Sequence, residues 1–198
     1  MTPSVILLAG PNGAGKTTAS KVVLPRLAQV TEFVNADVLA QGLSGFAPEQ
    51  HAIEAGRVML ARLRELAAQR ANFAFEATLA SRSFAVWIAE LIHRGYDFQL
   101  FYFWVPSAEF AIKRVANRVK MGGHSIDPET IRRRYERGLR NFFELYQPLA
   151  SSWYFYDNTV DSGEVPIASG RGRIVEHVDD PAIWNMLISK YAPKHQAP

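Results

Sequence analysis

The sequence predicts an α/β layered fold built on a parallel sheet, and two features carry that prediction. Short apolar segments alternate with segments of helical periodicity. The first of them, Ser4–Ala9, is continuously apolar, as in a strand buried on both faces, and a glycine-rich turn and a helical stretch follow it directly. Parallel strands joined by right-handed helical crossovers are the expected outcome.

Each element follows in order. A helix is expected from about Gly15 to Ala28, then a second strand, Thr31–Val34, ending at Asn35-Ala36-Asp37. A long helix starts after Pro48, with Ala52, Ala55, Met59, Leu63 and Leu66 on one stripe. Phe73–Thr78 is the third strand. Phe84, Ile88 and Leu91 mark a helix that stops at Gly95. Phe98–Val105 is the fourth strand, and Ala108, Ala111, Val115 and Val119 stripe the next helix. Gly122-Gly123-His124-Ser125 breaks it, with His124 read as a structural turn residue. Pro128 restarts a helix whose apolar face is Ile131, Tyr135, Leu139, Phe142 and Tyr146. Trp153–Tyr156 is the fifth strand, closed by Asp157-Asn158. Val165–Ile167 and Arg173–Val175 flank Ser169-Gly170-Arg171-Gly172 as a small hairpin, and a last helix covers Pro181–Tyr191.

The bulk properties bound the function. The 198 residues suit one domain, with no repeat or linker to divide it. Cysteine is absent, which excludes disulfides, thiolate catalysis and cysteine-based zinc sites. The N-terminal apolar run is too short for a signal peptide or membrane span and has no basic leader, so a cytoplasmic protein is expected. The net charge is only +3, but Glu109–Arg140 holds nine Lys or Arg against four Asp or Glu. Such a patch implies an anionic partner, a nucleotide phosphate or a nucleic acid backbone.

Gly10-Pro11-Asn12-Gly13-Ala14-Gly15-Lys16-Thr17 is a complete P-loop in its required strand–loop–helix context. Gly10, Gly13 and Gly15, with Asn12 and Ala14, let backbone N–H groups surround a phosphate at a helix N-terminus. Lys16 would reach the β- and γ-phosphates, Thr17 would hold Mg²⁺, and Thr18 would bond the α-phosphate. The expected fold is therefore a P-loop three-layer sandwich. Leu43-Ser44-Gly45 lacks the residues of a transporter signature and is read as a loop. Trp153–Asp157 comes late for a Walker B strand, so Asp157 and Asn158 are read as capping the strand end near the nucleotide.

Ligands of open α/β sheets bind at the carboxyl ends of the strands. Asp37 and Glu76 lie at two such ends. Asp37 suits a general base for an acceptor hydroxyl, or else caps a helix starting at Val38-Leu39. Glu76 would hold the acceptor or a Mg²⁺-bound water, or is an ordinary strand-end residue. Arg114 and Arg118 share a helix face, as do Arg133, Arg137 and Arg140. Arg118 and one or two of Arg132, Arg133 and Arg134 are expected to close over the γ-phosphate from a hinged lid at about residues 118–134.

Five blocks, in order, resemble the zeta-toxin family of P-loop kinases. They are Ala9–Thr18, Phe33–Asp37, Phe75–Leu79, Arg114–His124 with Ile131–Tyr135, and Tyr156–Asn158, together spanning about residues 4 to 158. The resemblance implies an adenylate-kinase-like parallel sheet of five strands in the order 2-3-1-4-5, with a mobile lid. It implies ATP with Mg²⁺ and phosphoryl transfer to a hydroxyl, in the well-known toxins that of UDP-N-acetylglucosamine. It places the base on Asp37, acceptor binding on Glu76 and Thr78, and phosphate binding on Arg118 and one of Arg132 to Arg134, here Arg133 or Arg134. Typical toxins are longer and carry an arginine soon after the base aspartate, where this chain has Val38-Leu39-Ala40-Gln41, so the resemblance is to a short branch. A small-molecule acceptor and an antitoxin protein are the expected partners, rather than a nucleic acid or a membrane. The rival reading is a nucleotide-dependent regulatory or nucleic-acid-binding module that phosphorylates no acceptor.

Overall fold

The computed structural model describes residues 2–24, 30, 32–45, 48–123, 125–160 and 163–193. Five parallel strands form one side of a sheet: β1 (Ser4–Ala9), β2 (Glu32–Val34), β3 (Phe73–Ala77), β4 (Asp97–Trp104) and β5 (Ser152–Asp157). Two more, β6 (Val165–Arg171) and β7 (Ile174–Val178), continue it antiparallel, giving the order β2-β3-β1-β4-β5-β6-β7. The expected 2-3-1-4-5 core is present. The expected small C-terminal hairpin extends that sheet, making it seven-stranded and mixed rather than five-stranded. Its turn falls at Gly172-Arg173, because Ser169, Gly170 and Arg171 still pair within β6.

The helices are α1 (Lys16–Val23), α2 (Ala36–Leu43), α3 (Ala52–Ala68), α4 (Ser83–His93), α5 (Ala108–Lys120), α6 (Pro128–Asn141) and α7 (Pro181–Tyr191). Among the described residues no helix is long and apolar enough to cross a membrane. α2 corresponds to the helix offered as the alternative at Val38-Leu39, but it starts earlier and its cap is Asn35, which accepts from the Asp37 and Val38 N–H groups at 2.8 and 3.3 Å. The anticipated α1 end at residues 25–28, Thr31 of the second strand and His124 of the inter-helix break lie outside the described residues. β3 stops at Ala77, so Thr78 begins the loop beyond it.

β1 is buried on both faces because β3 and β4 flank it and helices cover both sides, as its apolar run requires. Beside it, Tyr102, Phe142, Phe155 and Trp153 form an aromatic cluster, and Trp184 of α7 stacks on Trp153 at 5.4 Å between ring centroids. α7 is thereby sealed onto the sheet. The stripe of α6 carries Ile131, Tyr135 and Leu139 into the core, and a π-turn at Phe142–Tyr146 keeps Phe142, Phe143 and Tyr146 buried after it. In α5 the expected stripe holds for Ala111 and Val115 but not for Val119, which is exposed near the C-terminal end of the helix.

Candidate active site

Strand register assembles the site. Leu8 pairs with Glu76 and Val34 with Phe75, so Glu76, Asn35 and the start of the glycine loop emerge side by side. The loop needs its glycines. Gly10 has φ 138°, and a Cβ there would lie 2.2 Å from the Phe103 carbonyl oxygen. Gly15 caps α1 in the left-handed conformation, and a Cβ would meet the Asn158 amide nitrogen at 2.5 Å. That amide donates to the Ala14 carbonyl at 2.5 Å. Asn158, just past the end of β5, therefore clasps the glycine loop. Asp157 accepts from the backbone N–H of Thr159 at 2.8 Å and also from its hydroxyl.

Lys16 is buried; its Nζ donates to the Pro11 carbonyl at 2.9 Å and lies 3.4 Å from Glu76 Oε1. The Thr17 hydroxyl donates to Glu76 Oε2 at 2.8 Å, and the Asn35 amide donates to the same oxygen at 2.7 Å. Glu76 thus sits on the phosphate side of the cleft, against the P-loop lysine and threonine. Of its expected alternatives, this position matches the holder of a metal-bound water better than a group gripping the acceptor. Thr17 and Glu76 offer hydroxyl and carboxylate oxygens, hard donors that fit Mg²⁺.

Asp37 lies one residue into the first turn of α2 and is not its cap, because Asn35 occupies that role. Its Oδ2 is 4.0 Å from Arg118 Nη1, and both side chains are partly exposed to the cleft. Arg134 donates to Asn12 Oδ1 of the P-loop at 3.1 Å. Burial pulls its guanidinium below its ordinary value, and the Asp37 charge partly restores it. Arg133 stands at the cleft rim, within 3.4 Å of the Thr130 hydroxyl. Arg132 points away: Glu109 and Glu129 hold it, in that order of strength, and raise its already high value. It takes no part in the site. Arg114 packs over the Phe110 ring at 4.9 Å and donates to the Asn158 and Thr159 carbonyls at 2.6 and 3.0 Å.

The cleft has two lobes. One, of about 1110 Å³, is lined by Gly13, Gly15, Thr17, Thr18, Arg114 and Arg118, among others. The other, of about 880 Å³, is lined by Thr78, Ser81, Phe84 and Arg134 and by parts of α2 and α3. Asn12, Lys16, Asp37 and Glu76 border both.

The second lobe rests on a strained loop. Leu79 is a buried non-glycine residue at φ 58°, held by Asn141, whose amide donates to its carbonyl at 2.7 Å. Gly138 lets α6 approach closely, since a Cβ would stand 2.5 Å from the Thr78 oxygen. Asn35, Asn141 and Gly138 were not singled out from sequence. The spacing of Arg134, Gly138 and Asn141 on one α6 stripe was the available signal.

Several comparisons agree with this architecture. A protein of Haemophilus influenzae described as uncharacterized is 27% identical over 135 residues, covering 68% of this chain and 94% of that one. The structure of AvrRxo1-ORF1:-ORF2 with ATP superposes with a TM-score of 0.72 at 16% identity over 98% of this chain. This chain spans 64% of that one. The PezAT chromosomal toxin–antitoxin system of Streptococcus pneumoniae gives 0.61 at 19% identity, covering 96% of this chain and 78% of that one. These likenesses show a P-loop kinase fold. Residues 5–145, from the first strand through α6, match the AAA domain family designated AAA_33, and the chain belongs to that family.

Proposed function

We propose that this protein is an ATP-dependent phosphotransferase that moves the γ-phosphate to the hydroxyl of a small molecule. The observation that carries this reading is that the two lobes meet at Lys16, Asp37 and Glu76. A nucleotide in the P-loop lobe would direct its terminal phosphate toward whatever occupies the other. Gly10, Asn12, Gly13, Ala14, Gly15 and Thr18 would cradle the phosphates, and Lys16 would hold the β- and γ-groups. Thr17 would ligate Mg²⁺ and Glu76 would hold its water. Bound there, the ion would neutralise charge on the phosphates.

Asp37 takes the proton as the acceptor oxygen bonds to the γ-phosphorus. The bond from that phosphorus to the β–γ bridging oxygen breaks, and ADP leaves with the electron pair. Arg118, beside Asp37, and Arg134, on Asn12, would counter the charge of the group in transit. Arg133 at the rim and Thr78 in the second lobe would contact the acceptor. The zeta-toxin resemblance and the fold shared with PezAT support a nucleotide sugar such as UDP-N-acetylglucosamine as one acceptor, and an antitoxin as partner. A cytoplasmic location, where ATP is supplied, fits a chain without cysteine. The engagement of Arg132 by Glu109 and Glu129 breaks up the basic patch, which counts against the nucleic-acid module.

The test is a metabolite screen, including nucleotide sugars, with ATP labelled at the γ-phosphate. Lys16→Ala is expected to abolish transfer. Asp37→Asn is expected to keep nucleotide binding and lose transfer; full transfer in Asp37→Asn would remove the base from Asp37. Tight ATP binding with no labelled product from any acceptor would favour the regulatory module.

A further inference from the structure

We propose that the second lobe of the cleft binds a preformed anionic group, phosphate or carboxylate, through Arg57 of α3 and Arg137 of α6. The proposal rests on the phosphotransferase reading and narrows it: the acceptor is a hydroxyl compound that already carries a negative charge.

Charge balance is the first argument. Among the described residues, the lobe is bordered by five cationic side chains, Lys16, Arg57, Arg133, Arg134 and Arg137, against Asp37 and Glu76. Both carboxylates lie at the junction with the phosphate lobe and face Arg118, or Lys16 and Thr17. Among the described residues, nothing acidic lines the rest of the wall. A concave wall of one sign concentrates ligands of the other.

The second argument is where the neighbouring carboxylates go. Glu54, three residues before Arg57 on the same helical surface, pairs with His51 at 3.1 Å. Glu136, next to Arg137, takes Lys190 at 3.3 Å and the Tyr191 hydroxyl at 3.1 Å. Glu129, at the start of α6, is held by Arg132. Arg57 and Arg137 make no hydrogen bond or ion pair with any described residue. Arg133 and Arg137 stand four residues apart on α6, a like-charge spacing that weakens a helix unless an anion offsets it. Guanidinium groups suit this task, because their planar fork matches a phosphate or carboxylate in two places.

The third argument concerns the body of the ligand. Ile53 is 75% exposed and Leu60 40% exposed, yet both line this lobe, as does Phe84. An apolar or planar segment between hydroxyl and anion would cover them.

Phosphorus NMR titration of inorganic phosphate into the full chain tests binding directly. The chain is first saturated with Mg²⁺ and a non-hydrolysable ATP analogue, so that the P-loop is filled. Saturable phosphate binding is expected, weakened at least about tenfold in Arg57→Ala/Arg137→Ala. The Lys replacements should recover part of it, and Arg140→Ala, outside the lobe, should leave it unchanged. Unchanged melting temperatures establish that these exposed substitutions leave the fold intact. Absence of saturable binding, or equal binding in the double variant, overturns the proposal.

A second arm compares labelled transfer to matched acceptors: glycerol, glycerate and glycerol 3-phosphate, then uridine and UMP. The charged member of each set should win by at least about tenfold, and glycerate against glycerol 3-phosphate distinguishes carboxylate from phosphate. Equal use of the neutral members overturns the proposal while the kinase reading stands. Arginine-dependent phosphate binding without transfer to any acceptor sustains the anion site and removes the kinase reading.

Discussion

The Thr17 hydroxyl donates to Glu76 at 2.8 Å, joining the end of the P-loop to the end of the third strand. The same carboxylate stands 3.4 Å from Lys16. Glu76→Gln keeps the shape but removes the charge that faces the lysine and the metal position. Transfer is expected to fall by about 100-fold or more, the scale of losing a group that acts on transition-state charge. Nucleotide affinity without Mg²⁺ should hold or rise, because a negative charge near the phosphates is gone. Steady-state kinetics across a Mg²⁺ series, with nucleotide titrations in its absence, check both parts. Unchanged transfer would remove Glu76 from the metal position.

Asn35 does two jobs with one side chain. Its oxygen caps α2 and its amide nitrogen holds Glu76 at 2.7 Å. The two can be separated. Asn35→Asp retains the cap oxygen but loses the bond to Glu76 and sets a second carboxylate against it, so stability should fall by about 1.5–3 kcal/mol or more at neutral pH and transfer should fall with it. Asn35→Ala loses both, with about 1 kcal/mol for the cap and a further 1.5–3 kcal/mol from the bond to a charged group. Urea denaturation beside activity assays separates the outcomes. A transfer rate in Asn35→Asp equal to that of the unmodified protein would show that Glu76 needs no donor there.

These two residues also mark where sequence stops being informative. The glycine loop, the strand runs and the stripe of Ile131, Tyr135 and Leu139 were legible because each is a local pattern that burial enforces. The contacts of Glu76 with Lys16, Thr17 and Asn35 were not, because they depend on β3 lying beside β1, a pairing across 68 residues for Leu8 and Glu76. Arg132, Arg133 and Arg134 are consecutive, so each points about 100° from the next around α6. Which one meets Asn12 is set by what flanks the helix, and Glu109 of α5 claims Arg132. The start and cap of α2 are displaced from Asp37 to Asn35, because its eight residues follow a three-residue strand with no break between them but Asn35.

Three buried tyrosines make the fold sensitive to alkali. Burial pushes Tyr102, Tyr135 and Tyr146 above the ordinary phenol value of 10.0. Their hydroxyl protons are therefore retained in the folded chain at a pH where the unfolded chain has lost them. Stability is fully present below about pH 10 and declines as pH rises above it, by up to about 1.4 kcal/mol per pH unit for each tyrosine. Denaturant titrations from pH 8 to 11 should show a flat region and then a fall. Tyr135→Phe gives up the bond to the Val105 carbonyl at 2.8 Å, so it should be less stable at pH 8 yet lose less on the alkaline limb. An identical slope in that variant would mean that Tyr135 ionises as freely folded as unfolded.

Gly138 decides how closely α6 can approach the acceptor loop. A methyl group there would stand 2.5 Å from the Thr78 backbone oxygen, an atom that cannot move aside as a flexible side chain could. The loop is already constrained, with Leu79 at φ 58° and its carbonyl tied to Asn141. Gly138→Ala is therefore expected to push α6 away, destabilise the protein by about 1–3 kcal/mol and loosen Arg134 from Asn12. Gly42→Ala is the control. Gly42 lies in α2 with nothing within 4 Å of its added methyl, so alanine should stabilise by about 0.5–1 kcal/mol. Once an acceptor is in hand, Gly138→Ala should raise its KM while the nucleotide Kd changes little, because Asn158 and the start of α1 still hold the glycine loop when Arg134 loosens from Asn12. Equal weakening of both ligands would mean instead that Arg134 supports the P-loop itself through Asn12.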